Sequence, residues 1–450
     1  MNLLLGLPVA AVGVLLLVYN YKPFFYLLLA SIPPSVEIYF GGSSMDVASE
    51  PLMLLFLLLF IIELVAGRQF PRDKVIKPYH ILVFLLLFWT LLTSITSSFP
   101  ERSFKFLLAK LWYIAAFVFM AERLVKNEKT LKRLWACYVI PLTVLVVIIT
   151  VKHAGESFSF ESSNLISAPF FVNHVIYGVT TALGVPVAIL AVYWYPAKDL
   201  RRYLFGIAAF IILIGAILSY ARGAWLAVIL SFICYWMIKW NLFSRAIYLA
   251  LIVATLAVGY LIKDNNFYTF APEYKTTIFH EGDLEGHLSA TFDGTELSSM
   301  ERFYRWVAAK NMIEAQPLLG FGPSTFNQVY KRYTDDAFRT YVSDNEEQST
   351  THNYFLMTFS EQGIVGGLLF IIICVYMLTK GQRVYLQAST PLRKSLVMCA
   401  LLSIVVVLFH CLFNELIEVN KVGTMFWFNL TVIHVVEGWE EGDQVVSLPN

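Results

Sequence analysis

The chain has 450 residues, of which 58% are hydrophobic and only 14% charged, with a formal net charge of +1. A composition this apolar excludes an ordinary soluble domain. The balanced charge gives no argument for nucleic acid, and no aromatic and basic recognition module stands out. The expected fold class is all-α: a polytopic integral membrane protein with 12 or 13 transmembrane helices and one long polar loop.

In chain order, apolar stretches long enough to cross a bilayer fall near 52–66, 78–97, 103–121, 134–151, 173–194, 203–220, 223–238, 243–262, 353–379, 395–411 and 420–436. Two weaker segments, 3–19 and 23–34, form either a helical pair or one span with an interfacial element, which leaves the count open by one. Residues 1–19 carry no basic leading region and are followed by more membrane, so no cleaved signal peptide is expected.

Basic residues orient these spans. Arg68, Arg72, Lys74 and Lys77 form one cluster, and Arg123, Lys126, Lys129, Lys132 and Arg133 a second. Further clusters are Lys198, Arg201 and Arg202; Lys239 and Arg245; and Lys380, Arg383, Arg393 and Lys394. They fall on alternate connections, so all should face the cytoplasm. The connections at 35–51, 98–102, 152–172 and around 221 then face outward with the whole 263–351 loop, which in a bacterial inner membrane is the periplasmic side. This divides the chain into an N-terminal transmembrane bundle (1–262), a periplasmic loop domain (263–351), C-terminal transmembrane helices (352–436) and a cytoplasmic tail (437–450).

All five cysteines, Cys137, Cys234, Cys374, Cys399 and Cys411, lie in or at the ends of apolar spans, so the loop folds without disulfides. No ligand-spaced Cys/His cluster indicates zinc, and no metal or cofactor is expected.

The long loop carries more acidic than basic residues, and its stretch around 281–301 is rich in Gly, Ser, Thr and acids, as a flexible segment would be. Helical periodicity returns over about 299–314, stopping before Pro317, and puts Arg302, Arg305 and Trp306 on one face. An arginine fork suits a diphosphate; equally, Arg302 can pair with loop acids and Arg305 with lipid headgroups. Next comes Leu319-Gly-Phe-Gly-Pro-Ser-Thr-Phe326, where Gly320 and Gly322 permit a tight turn and Pro323 fixes its exit. The loop lacks the Lys-Ser/Thr ending of a nucleotide-binding loop and reads equally well as a structural turn.

Arg222 stands in Ser219-Tyr-Ala-Arg-Gly-Ala-Trp-Leu226, between apolar runs at a short outward turn. A cation so near hydrocarbon needs headgroups, water or a partner, so it either snorkels or serves a substrate or an intramembrane pair. His352 stands at the mouth of the next span and can accept a proton when neutral or stabilise a phosphate when protonated. Asn353 can orient a sugar or a neighbouring side chain. Glu361 lies inside an apolar helix and needs a partner, either an arginine or, as an acid or base, the substrate. Gly363, Gly366 and Gly367 allow close helix packing. Arg102, Lys105 and Lys110 are secondary candidates for diphosphate contact or snorkelling, and Glu415 and Glu418 flank the last outer turn, where either can balance basic charge.

This combination resembles the bacterial O-antigen ligase and O-antigen polymerase superfamily, most of all the ligases. Arg222 and Leu226 are similar to its arginine, three residues, leucine motif. His352-Asn353, nine intervening residues, Gly363, two residues and Gly366 resemble its histidine motif. The helix with Glu301, Arg302 and Trp306, followed by Pro317-Leu-Leu-Gly-Phe-Gly-Pro-Ser-Thr-Phe326, is similar too.

The resemblance implies an inverting, metal-independent glycosyltransferase of the inner membrane. It would move a glycan from undecaprenyl diphosphate to a lipid A-core acceptor on the periplasmic face. Arg222 and Arg302, with Arg305, would bind the diphosphate, and His352 would orient or deprotonate the acceptor hydroxyl. Asn353, Glu361 and Arg102 are further substrate-binding candidates; Gly320, Gly322, Gly363 and Gly366 are structural. The implied partners are the lipid-linked donor, a lipid A-core or growing glycan acceptor, and membrane lipids. Two other activities use the same donor: a polymerase extending a lipid-linked glycan, and a flippase moving one. A flippase should show inverted repeats or helices broken at mid-membrane, and no repeat is visible. A noncatalytic envelope assembly subunit is the remaining reading.

Overall fold

The structure, a computed structural model, describes residues 19–40, 43–67, 76–271, 297–340, 343 and 349–447. The main helices are α1 (Lys22–Ser31), α2 (Ser49–Val65), α3 (Pro78–Ile95), α4 (Pro100–Leu124), α5 (Glu128–Gly155), α6 (His174–Trp194), α7 (Leu200–Leu218) and α8 (Arg222–Lys239). They continue with α9 (Phe243–Phe270), α10 (Leu297–Ala315), α11 (Tyr354–Gln387), α12 (Pro391–Cys411) and α13 (Asn420–Ser447). Among the described residues nine helices, α3 to α9 with α11 and α12, are long and apolar enough to cross a membrane. The chain is thus a multi-pass membrane protein.

Local sequence explains where these helices begin. Proline occupies the first turn of α3, α4 and α12, where a missing N–H costs nothing. Asn127, Asn173, Asp199 and Asn353 cap α5, α6, α7 and α11, each accepting a backbone N–H of the first turn.

Two expectations change at the N-terminal side. The segment 23–34 yields α1, only ten residues long; at 1.5 Å per residue this is about half of what a bilayer requires. The weaker segment 3–19 falls almost wholly outside the described residues, so the 12 or 13 expected spans are not reached among those described. The all-α expectation also misses a hairpin, β1 (Val36–Phe40) antiparallel to β2 (Ser43–Val47), built on the connection expected to be a plain loop. Its signal was the alternating Val36-Glu-Ile-Tyr-Phe40 followed by Gly41-Gly42.

Packing separates the helices sharply. Every residue of α13 from Asn420 to Val436 is buried, the polar Lys421, Asn429 and His434 included, which puts this helix at the centre of the bundle. By contrast, α9 buries nothing along its apolar window. It is tied at its start, where the Ser244 backbone N–H donates to Gln382 Oε1 at 2.7 Å and Gln382 Nε2 donates to Asn241 Oδ1 at 3.0 Å.

The expected alternation of basic connections is visible as two unlike ends. At one end Arg123 meets Glu63 (2.7 Å), and Arg393 meets Glu128 (2.9 Å) and Glu440 (3.0 Å). His80 lies 3.0 Å from Glu122, and Lys380 contacts Glu437. Arg68, Arg72 and Lys74 lie outside the described residues. At the other end the connections near 98, 158, 220, 321, 352 and 414 meet: Ser98 N–H donates to Phe321 O (2.9 Å), Tyr220 to Phe158 O (2.7 Å), and the His352 ring contacts Asn414 (3.2 Å).

Candidate active site

The site is organised by a break in α11. Gly363 adopts φ 67 and ψ −176, so the helix stops after Gln362 and restarts at Ile364. A broken helix within a membrane must satisfy its freed backbone groups from inside the protein, and the glycine loop does so. Phe321 N–H donates to Ser360 O (3.2 Å) and Gly322 N–H to Glu361 O (2.8 Å), while Ile364 N–H donates to Pro317 O (2.8 Å). The Trp89 indole N–H takes Gln362 O at 2.8 Å. The Glu361 carboxylate, fully buried, accepts the backbone N–H groups of Ser324 (2.8 Å) and Phe326 (2.9 Å).

The glycines are therefore needed for backbone contact. A Cβ on Gly363 would stand 2.0 Å from Leu318 O, and one on Gly320 2.5 Å from the Glu361 carbonyl. Gly366 does serve close packing, lying against the Trp89 ring.

The short first part of α11 presents His352 on a shelf. Residues 350–353 run along the turn after α12: Thr350 donates its hydroxyl to Glu415 Oε1, His352 Nδ1 faces Asn414 Oδ1 at 3.2 Å, and Asn353 Nδ2 donates to Leu412 O at 3.2 Å. From the other side α10 holds the same strip, with Trp306 Nε1 donating to Thr351 O (2.9 Å) and Arg305 Nη1 to Thr350 O (3.2 Å) and Ser349 Oγ (2.7 Å). The expected helix over 299–314 is thus present, and its work is to clamp the residues leading to His352.

The ring's protonation follows from these contacts. The Ser349 hydroxyl accepts from Arg305 and so has its proton free to donate to His352 Nε2, 3.1 Å away. Nδ1 then carries the hydrogen and donates to Asn414 Oδ1. Burial holds the imidazole below its usual value; Glu415 opposes this, and the positive charges of Arg305 and Arg302 add to it. His352 is therefore neutral at pH 7. It also has φ 47, a left-handed conformation uncommon for a side-chain residue and often met at functional sites.

The sequence-predicted residues separate into groups. Arg302 and Arg305 come together with His352. Arg305 is also paired with Glu301 (3.3 Å), whose other carboxylate oxygen accepts the Ser343 hydroxyl (2.6 Å). Arg222 opens α8 at the same end of the bundle; the adjacent Gly223 packs on the buried His410, one turn before Asn414. Arg102 is exposed at the start of α4, next to Ser103, whose hydroxyl donates to Pro323 O of the glycine loop (2.7 Å).

Two expected substrate ligands have other duties. Asn353 caps α11, its Oδ1 accepting Leu356 N–H (3.0 Å) and its amide donating to Leu412 O, so both ends are engaged. Glu361 holds the glycine loop by backbone N–H groups, where an arginine or a substrate was expected. Lys110 is buried, 2.5 Å from Glu418, and does not snorkel.

Ser349 and Asn414 went unnoticed in the sequence, and Glu415 carried only a charge-balancing role. Their only signal was polarity beside apolar runs at two distant connections, which the fold alone brings together.

No curated protein matches the chain. Residues 207–371 match the family model described as O-antigen ligase. This segment contains Arg222, Arg302, Arg305, His352 and Gly363, whereas Asn414 and Glu415 lie beyond it. Over that segment, a little more than a third of its length, the chain is similar to the O-antigen ligase family.

Proposed function

We propose that the protein is an inverting glycosyltransferase that moves a glycan from undecaprenyl diphosphate to a lipid A-core acceptor on the periplasmic face of the inner membrane, without a metal ion. The observation that carries this reading is the meeting of a neutral His352 with Arg302 and Arg305 at the rim of the bundle, in the segment matched to the family. A diphosphate is already a good leaving group, so catalysis rests on holding it and neutralising the charge it gains, contacts that count only as far as they strengthen in the transition state.

Arg222 and Arg302 bind the diphosphate. Arg305, engaged with Glu301, Ser349 and Thr350, keeps the strip before His352 in place. His352 orients the acceptor sugar hydroxyl or receives its proton. The hydroxyl oxygen attacks the anomeric carbon, the carbon–oxygen bond to the diphosphate breaks, and the lipid diphosphate leaves with the electron pair; one displacement inverts the configuration. The glycan end of the donor lies on the side of α10 and His352 while the prenyl tail stays in the bilayer.

Purified protein in nanodiscs, given lipid-linked glycan with and without lipid A-core, tests the assignment by product size. A single transfer onto core is the expected result. Repeat extension without core would make the protein a polymerase, and donor translocation without a new glycosidic bond would make it a flippase.

A further inference from the structure

We infer that Glu415 is the carboxylate that takes the proton from the acceptor hydroxyl, with His352 and Asn414 positioning that hydroxyl beside it. The inference rests on the transfer reading above and identifies the atom at which the proton arrives. Three observations carry it.

First, His352 Nε2, the ring nitrogen left to act as a base, is engaged by the Ser349 hydroxyl, itself held by Arg305. Its lone pair is therefore occupied by a group that the fold keeps in place. Second, among the described residues Glu415 engages only one oxygen: Oε1 accepts from Thr350, while Oε2 is buried and meets no hydrogen-bond partner there. A buried carboxylate oxygen without a donor is costly, and a sugar hydroxyl is the kind of donor that would satisfy it. Third, Glu415 faces the right place. It neighbours Asn414, which holds His352 Nδ1, and its charge acts on the imidazole together with those of Arg305 and Arg302.

The resulting step balances. The acceptor O–H donates its proton to Glu415 Oε2 as its oxygen forms the bond to the anomeric carbon. The diphosphate departs with the electrons of the broken carbon–oxygen bond, and the proton on Glu415 is then lost to water. Neutral His352 stabilises the carboxylate's surroundings without competing for the proton, and Thr350 fixes the carboxylate's rotation.

Glu415→Gln keeps the shape and the Thr350 contact but removes the base. In nanodiscs with lipid-linked glycan and acceptor, this variant should lose about 10²–10⁴-fold in kcat while its KM for donor and its equilibrium binding of undecaprenyl diphosphate stay as in the wild type. Glu415→Asp, which keeps the charge, should recover part of the rate. A Glu415→Gln protein turning over within threefold of wild type would overturn the assignment, as would loss of donor binding in both variants, which would place Glu415 in the fold and not in the reaction. If the wild type itself forms no product, the transfer reading fails; if it does and Glu415→Gln matches it, only the role of Glu415 fails.

Discussion

At the basic end of the bundle, Arg393 lies between Glu128 of α5 and Glu440 of α13, and Arg123 of α4 reaches Glu63 of α2. Cation meets carboxylate across helices, and the charges neutralise one another. At the other end, among the described residues, Glu361 accepts backbone N–H groups alone, Arg305 divides its fork between Glu301 and the strip before His352, and Glu415 keeps one buried oxygen without a donor. The first arrangement staples helices together. The second arranges polar groups around a backbone break and leaves some of their capacity open, as a binding site requires and a staple does not.

The comparison breaks most readily at Gly363. Gly363→Ala would place a methyl group against Leu318 O at a positive φ, and should cost about 2 kcal/mol or more. Thermal unfolding in detergent should show a clearly lowered Tm together with loss of transfer, and an unchanged melting curve would mean the break does not organise the site. Arg393→Ala, at the other end, should cost about 1–2 kcal/mol yet leave kcat per folded molecule unchanged; a fall in kcat at constant stability would show that the basic end is not merely a staple.

A smaller effect separates cap from ligand. Asn353→Ala should destabilise by about 1 kcal/mol and Asn353→Ser should restore most of it, with transfer following stability in both. A stable Asn353→Ser protein that had lost turnover would return Asn353 to the substrate. The pH dependence should move least. Because burial and two arginines hold His352 below the usual imidazole value, the ring stays neutral as pH falls, and the acidic limb of kcat/KM should lie below about pH 6.5. Activity that instead falls as pH rises through this range would mean that His352 works protonated.

Much of the helical frame was legible because apolar runs of span length have few alternatives. The basic clusters showed which connections share an end, and Arg302, Arg305 and His352 were legible as a group through the resemblance. Asn353 was also legible as an N-cap from its place before an apolar run, and a cap is what its side chain forms. Glu361 was rightly seen to need a partner, but that partner is backbone from Ser324 and Phe326, and backbone donors leave no trace in residue type. Glu415 was legible only as a charge-balancing group for a similar reason: its setting arises where the strip before α11 lies along the turn after α12, a pairing between connections more than sixty residues apart.

Mass spectrometry of the product formed from lipid-linked glycan and lipid A-core in a metal chelator, with the wild type beside Arg222→Ala and Arg302→Ala, decides whether the arginines and not a metal carry the transfer. The wild type should give a joined, inverted product without nucleotide sugar or divalent ion, and both variants should lose turnover with membrane insertion intact. Wild-type activity that vanishes in chelator and returns with metal, or full turnover in both arginine variants, would contradict this mechanism.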